Sequence, residues 1–256
     1  MFDWTELTLF LYISARVSGF ILFNPILGRS NIPAAFRSGM VLVLSWFVMG
    51  VTRQEVPTPT GVVELMVRLL LEIALGFLLG MAVNFFFYIP QLGGQMIDTQ
   101  MGMTMNQMYD AGAQANLSVT GMILNILMTM LFFAAGGHLT LLQIFLTSEE
   151  IVPLGAVSVG LPAYWYLLEL FVQCTILAVK LCMPIMAAEL IAQLGMGVLM
   201  KVIPQINVFT INIDIKVLVG LGLLFMLTIP FSEFIIDAER MMLNSLHEIL
   251  LLSTGG

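Results

Sequence analysis

Ionisable side chains set within oily sequence are the first place to look for chemistry in this chain. Glu64, Arg68 and Glu72 recur every four residues, which stacks acid, base and acid on one helix face. Arg16, Glu169, Lys180 and Glu189 stand in apolar runs without such a local ladder, and Lys216 borders another run. A charge at the centre of a bilayer costs about 2.5–3.5 kcal/mol on insertion scales unless it is paired or hydrated. Each of these residues is therefore expected to meet a partner or water. The ladder either satisfies itself near an interface or forms a contact with another subunit. The isolated charges find partners elsewhere in the protein or in another subunit, or reach water by extension of the side chain. Glu169 and Lys180 are eleven residues apart, about three helical turns, too far to pair directly.

Catalytic templates fail. The chain has no phosphate-binding loop, no complete G-x-G-x-x-G, no H-E-x-x-H and no nucleophile elbow. His138 follows a glycine pair and His247 lies in a polar-faced tail, and neither has a nucleophile or ligand set beside it in the sequence. Cys174 and Cys182 sit eight residues apart in an apolar helix, where no nearby His or third thiol completes a metal site. They read as buried thiols that pack. We expect no enzyme, no cofactor and no metal. Methionine is the unusual enrichment: of 20 in the chain, Met96, Met101, Met103, Met105 and Met108 fall within thirteen positions. A long, unbranched, polarizable side chain can reseal around changing shapes, so this cluster is read either as a deformable seal or as plain packing.

The elements that must position these residues are helices in an apolar setting. Hydrophobic residues make up 59% of 256 and charged ones 10%, with mean hydropathy +1.01, which marks an integral membrane protein or one buried in a large assembly; with its apolar runs read as helices, the expected fold is all-α. A net charge of −7 argues against nucleic acid and against a polybasic grip on anionic lipid. No basic leader is evident, because Asp3 and Glu6 precede Arg16. One domain over residues 1–256 is expected, with helices at about 7–23, 39–51, 65–89, 117–146, 161–200 and 217–252. Gly136-Gly137 and Met183-Pro184 offer breaks in the two longest, so each is a bent helix or a hairpin. Residues 91–116 interrupt this pattern with Gly, Met, Gln and Asn, and hold only Asp98 and Asp110 as charges. Irregular backbone is tolerated at membrane depth only inside protein or along a watery cavity, so this stretch is expected to line or plug a conduit.

Several phrases carry a resemblance. Arg16, Asn24-Pro25-Ile26-Leu27, Ile32-Pro33, Arg37, Gly76, Gly80, Gly94, Gln100-Met101-Gly102, Gly137-His138-Leu139 and Pro204-Gln205-Ile206-Asn207-Val208-Phe209 occur in the order and spacing of the FliR/SpaR/SctT family, the flagellar export-gate proteins and their virulence type III secretion counterparts. The match runs from about residue 10 to residue 235, and it resembles the flagellar branch more than the injectisome branch.

The resemblance implies a non-enzymatic core subunit of the type III export gate in the bacterial inner membrane, at the flagellar basal body. It implies long, kinked helical hairpins that join FliP-type and FliQ-type subunits in a closed helical assembly, with FlhA and FlhB alongside, and unfolded flagellar subunits as cargo. The family also places a pore-closing plug after its QMG phrase, which maps onto about 106–117. The plug and its seal then comprise Met101, Met103, Met105, Asn106, Gln107, Met108, Tyr109 and Asp110. Many relatives follow that aspartate with proline; here Ala111 follows, which loosens the loop. The alternatives are an injectisome homologue and a small-solute secondary transporter, the latter favoured if uptake were proton-coupled through Glu169 or Glu189. A purely structural scaffold, with the Gly and Met stretch as a tight contact, is a third.

Overall fold

A computed structural model describes residues 4–28, 32–52, 57, 59, 61–103, 118–158, 160–202 and 208–254. These residues form helices and no sheet: α1 (Trp4–Phe23), α2 (Ala34–Val51), α3 (Val62–Met101), α4 (Val119–Ala134), α5 (Gly137–Ile151), α6 (Leu161–Val202), α7 (Val208–Met226) and α8 (Thr228–Leu252). Three of them, α1, α2 and residues 161–199 of α6, are long and apolar enough to cross a membrane; the number rises to five if α4 with α5, and α7 with α8, each make one broken span.

The chain divides into two compact units, each made of separate stretches of sequence. The first contains residues 1–86, 136–172 and 240–256. Its core is the crossing of α1 over α3, which small residues permit. A Cβ at Gly19 would lie 2.4 Å from the Ile73 carbonyl oxygen, and one at Gly76 would lie 2.2 Å from that of Arg16. Gly76 and Gly80 thus provide the close helix approach that their spacing predicts, and α1 is the helix that uses it. Around the crossing Tyr12, Ile13, Val17, Ile21, Leu75 and Leu79 are buried, and the Phe23 and Phe77 rings meet edge to face at 4.5 Å.

The second unit contains residues 87–135 and 173–239. Two expectations are corrected here. Residues 91–101 are helical, the last turns of α3, rather than irregular. Gln and Met are good helix formers, and Gly93 and Gly94 serve close packing: a Cβ at Gly93 would lie 3.1 Å from the Ala178 carbonyl oxygen, one at Gly94 2.2 Å from Gly121. The helix ends where Gly102 adopts φ +80°, with Gly102 N–H donating to Thr99 O and Met103 N–H to Asp98 O, the paired bonds of a Schellman motif.

The second correction concerns 183–184. α6 runs through Pro184 as one helix of 42 residues. Proline removes one backbone donor and crowds the preceding turn, a local defect. Ala178, Leu181, Cys182 and Ile185 form a buried stripe on both sides of it while Pro184 faces outward, so packing holds the helix together. The expected interruption at 136–137 is present: Gly136 sits at φ +76° as the N-cap of α5.

Candidate functional site

In the first unit, the α1 and α3 crossing delivers Arg16 to Glu72. The guanidinium makes a two-pronged bond, Nε to Oε2 at 2.7 Å and Nη2 to Oε1 at 3.2 Å, with side-chain exposures of 3% and 0%. Two further bonds are made: Nη1 reaches Ser148 Oγ at 3.2 Å and Nη2 the Val152 carbonyl at 3.0 Å. Glu72 also accepts the Gly155 N–H at 2.7 Å. A buried pair is tolerable only when its leftover lone pairs and protons are satisfied in this way.

Arg68 extends the network. It donates to Glu64 at 2.6 Å and to the Gly155 carbonyl at 2.8 Å. The Gly155 residue is therefore gripped at both ends, by Glu72 at its N–H and by Arg68 at its C=O, which fixes the connection between α5 and α6 onto α3. Of the sequence-predicted contact residues, Arg16, Glu64, Arg68 and Glu72 thus find partners inside the chain, and the ladder divides: Glu64 pairs with Arg68 while Glu72 turns to Arg16. Every group in this cluster is engaged, so it holds structure and offers no free acid, base or nucleophile.

Gly155 carries φ +76°, and a Cβ there would meet the Tyr12 ring at 3.0 Å. Gly155→Ala is expected to cost about 1–2 kcal/mol from the left-handed backbone alone. Thermal unfolding of the purified protein should show a lowered midpoint; an unchanged midpoint would mean that the turn is not held as described.

In the second unit, the candidate site is the base of the segment that separates α3 from α4. Met105, Asn106, Gln107, Met108, Tyr109 and Asp110, with the rest of 104–117, lie outside the described residues. Their two flanks are joined. Asp98, 1% exposed, accepts the Ser118 hydroxyl at 2.7 Å and the Thr120 N–H at 3.2 Å. Ser118 in turn caps α4, its Oγ accepting the Gly121 N–H at 2.8 Å. A carboxylate beside these first N–H groups is favoured by the helix dipole as well as by the hydrogen bonds. Farther along, Gly121 meets Gly94, and Asn125 Nδ2 donates to the Phe87 carbonyl at 3.2 Å. The α3 and α4 flanks are thereby zipped at three successive levels.

Met101 is fully buried, and its side chain fills the space over Gly220 of α7; Met103 is half-buried in the turn after α3. Glu189, on α6, is 0% exposed and both carboxyl oxygens lack a hydrogen-bond partner among the described residues. Lys216, on α7, donates to Gln193 at 3.1 Å, one helical turn from Glu189. Glu169 and Lys180 are exposed on α6. Sequence reasoning noted Asp98 only as a charge and missed Ser118, Ser148 and Gly155. Ser118 did carry a signal, as a cap-forming residue directly before an apolar run. Among the described residues, no three His, Cys, Asp or Glu side chains converge to hold a metal ion.

Residues 7–241 match the model of a family described as bacterial export proteins, family 1. The chain is similar to the flagellar biosynthetic protein FliR of Escherichia coli, 25% identical over 232 residues that cover 89% of this chain and 88% of that protein. It is also similar to FliR of Pectobacterium carotovorum, 27% identical over 236 residues, 91% and 89% of the two chains. Yop proteins translocation protein T of Yersinia pestis is 25% identical over 213 residues, 82% of this chain and 81% of its own.

Proposed function

The chain belongs to family 1 of the bacterial export proteins, and from that membership we propose that it is a core subunit of the flagellar type III protein export gate. In this reading it forms part of the channel through which unfolded flagellar subunits cross the bacterial inner membrane, at the base of the flagellum, and it catalyses no reaction. The observation that carries the reading is the family match over nearly the whole chain, with flagellar relatives aligned along most of their own length.

FliP-type and FliQ-type subunits, with FlhA and FlhB nearby, are the partners we assign. The apolar surface supports this: only 11% of α2 is buried, and Val43, Trp46 and Phe47 face outward. Such a face needs lipid or other helices around it. Glu169, Lys180, Glu189 and Lys216 are the remaining candidates for contacts within the assembly.

Residues 106–117, with Met101 and Met103 at their base, act as the plug and seal. A conduit for arbitrary unfolded chains must avoid deep energy wells, and Gly, Gln, Asn and Met provide a lining without charge rings. Flanks joined through Asp98 and Ser118 hold the two ends of this segment together. Deleting 106–116 is expected to leave assembly intact and to raise ion permeability of cells that express the variant; permeability equal to that of the parent would refute the plug. The injectisome reading draws support from the similarity to the Yersinia translocation protein. Complementation separates the two: rescue of motility in an Escherichia coli strain lacking FliR supports the flagellar role, and rescue of secretion only in a Yersinia strain lacking protein T supports the other.

A further inference from the structure

In the second unit one thiol meets two thioether sulfurs, apart from the charge network and the Asp98 clamp. Cys182 Sγ lies 3.3 Å from Met186 Sδ, one turn along α6, and 3.6 Å from Met96 Sδ on α3. The thiol also donates to the Val179 carbonyl at 3.1 Å. Cys182 is fully buried while Met96 and Met186 are half-buried. Two thioethers and a thiol, with no imidazole or carboxylate among them, make a donor set that selects soft metals.

We propose that Cys182, Met96 and Met186 form a binding site for one soft monovalent cation, Cu(I) or its heavier congener Ag(I). The size is suitable. Metal–sulfur bonds of about 2.3 Å arranged in a plane hold their sulfurs about 4 Å apart, so the Cys182 sulfur and the Met96 sulfur must separate by about 0.4 Å and the Cys182 and Met186 sulfurs by about 0.7 Å, shifts within reach of flexible thioether side chains. Charge decides the valence. Binding replaces the S–H bond of Cys182 with an S–metal bond and releases the proton to solvent, with no change of oxidation state. The product, thiolate with a monovalent ion, is neutral and suits the surrounding apolar side chains. A divalent ion would leave one uncompensated positive charge, which burial penalises heavily.

The test uses the full chain, purified in detergent under reducing conditions, titrated with Cu(I) held by the chromophoric chelator bicinchoninate. The expected result is withdrawal of one equivalent of Cu(I) by the parent and by Cys174→Ser, and none by Cys182→Ser. Met96→Leu and Met186→Leu preserve side-chain volume, so each should fold, and each should bind at least tenfold more weakly. Absorption-edge spectroscopy of the loaded protein should show sulfur alone in the first coordination sphere. Failure of the parent to withdraw Cu(I), equal withdrawal by Cys182→Ser, or unchanged affinity in both leucine variants would overturn the site.

Discussion

Arg16→Ala is expected to destabilise the first unit severely. The substitution leaves the Glu72 carboxylate, 0% exposed, without its cation, and it strips donors from Ser148 and the Val152 carbonyl. Breaking a buried, hydrogen-bonded pair from one side costs about 3–5 kcal/mol, a large part of the 5–15 kcal/mol that holds a typical domain. Glu72→Ala should cost as much, since it leaves a guanidinium in the same place and frees the Gly155 N–H. Arg16→Lys keeps the charge but loses the two-pronged geometry, so an intermediate loss is expected. The double variant Arg16→Met, Glu72→Leu removes both charges and should recover a substantial part of the stability lost in either alanine variant. Thermal unfolding of the parent and these four variants forms the test. A single-alanine variant that melts with the parent would show that water or lipid, and not this pair, neutralises the charges.

That network also shows where sequence reading succeeded and stopped. Long apolar runs with few charges revealed an all-α membrane chain, because that signal acts within a few residues. The choice of partner did not. Glu64, Arg68 and Glu72 look self-sufficient at their spacing of four, yet Arg16, 56 residues from Glu72, takes Glu72 through a crossing that only the folded chain creates. Pro184 and Gly93-Gly94 mislead for a related reason. Each lowers local helix propensity, but buried contacts over many turns outweigh a local cost of about 1–3 kcal/mol. The Asp98 clamp was illegible in a further way, since its acceptor and donors lie on opposite sides of residues 104–117.

Gly94→Ala is the second substitution for which a large effect is expected, and it acts on the base of that segment. The new Cβ would sit 2.2 Å from both the Cα and the N of Gly121. Backbone cannot rotate away as a side-chain tip can, so α3 and α4 must separate. Overpacking of this kind costs about 1–3 kcal/mol, sometimes more, and here the separation falls one helical turn from the Asp98 bonds to Ser118 and Thr120. Those bonds should stretch beyond useful length, which frees the flanks of 104–117 from one another. Gly93→Ala is the matched control, because its Cβ meets the Ala178 carbonyl at 3.1 Å and needs a shift of only a few tenths of an ångström. Asp98→Ala removes the clamp without forcing the helices apart, at about 1–3 kcal/mol for the unsatisfied donors left behind. If the clamp sets the loop, Gly94→Ala and Asp98→Ala should share one phenotype: ion leak with the assembled complex still recoverable, and Gly93→Ala near the parent. If Gly94 matters only for packing, its variant should lose the complex altogether while Asp98→Ala remains tight, and the relation between clamp and seal would then be wrong.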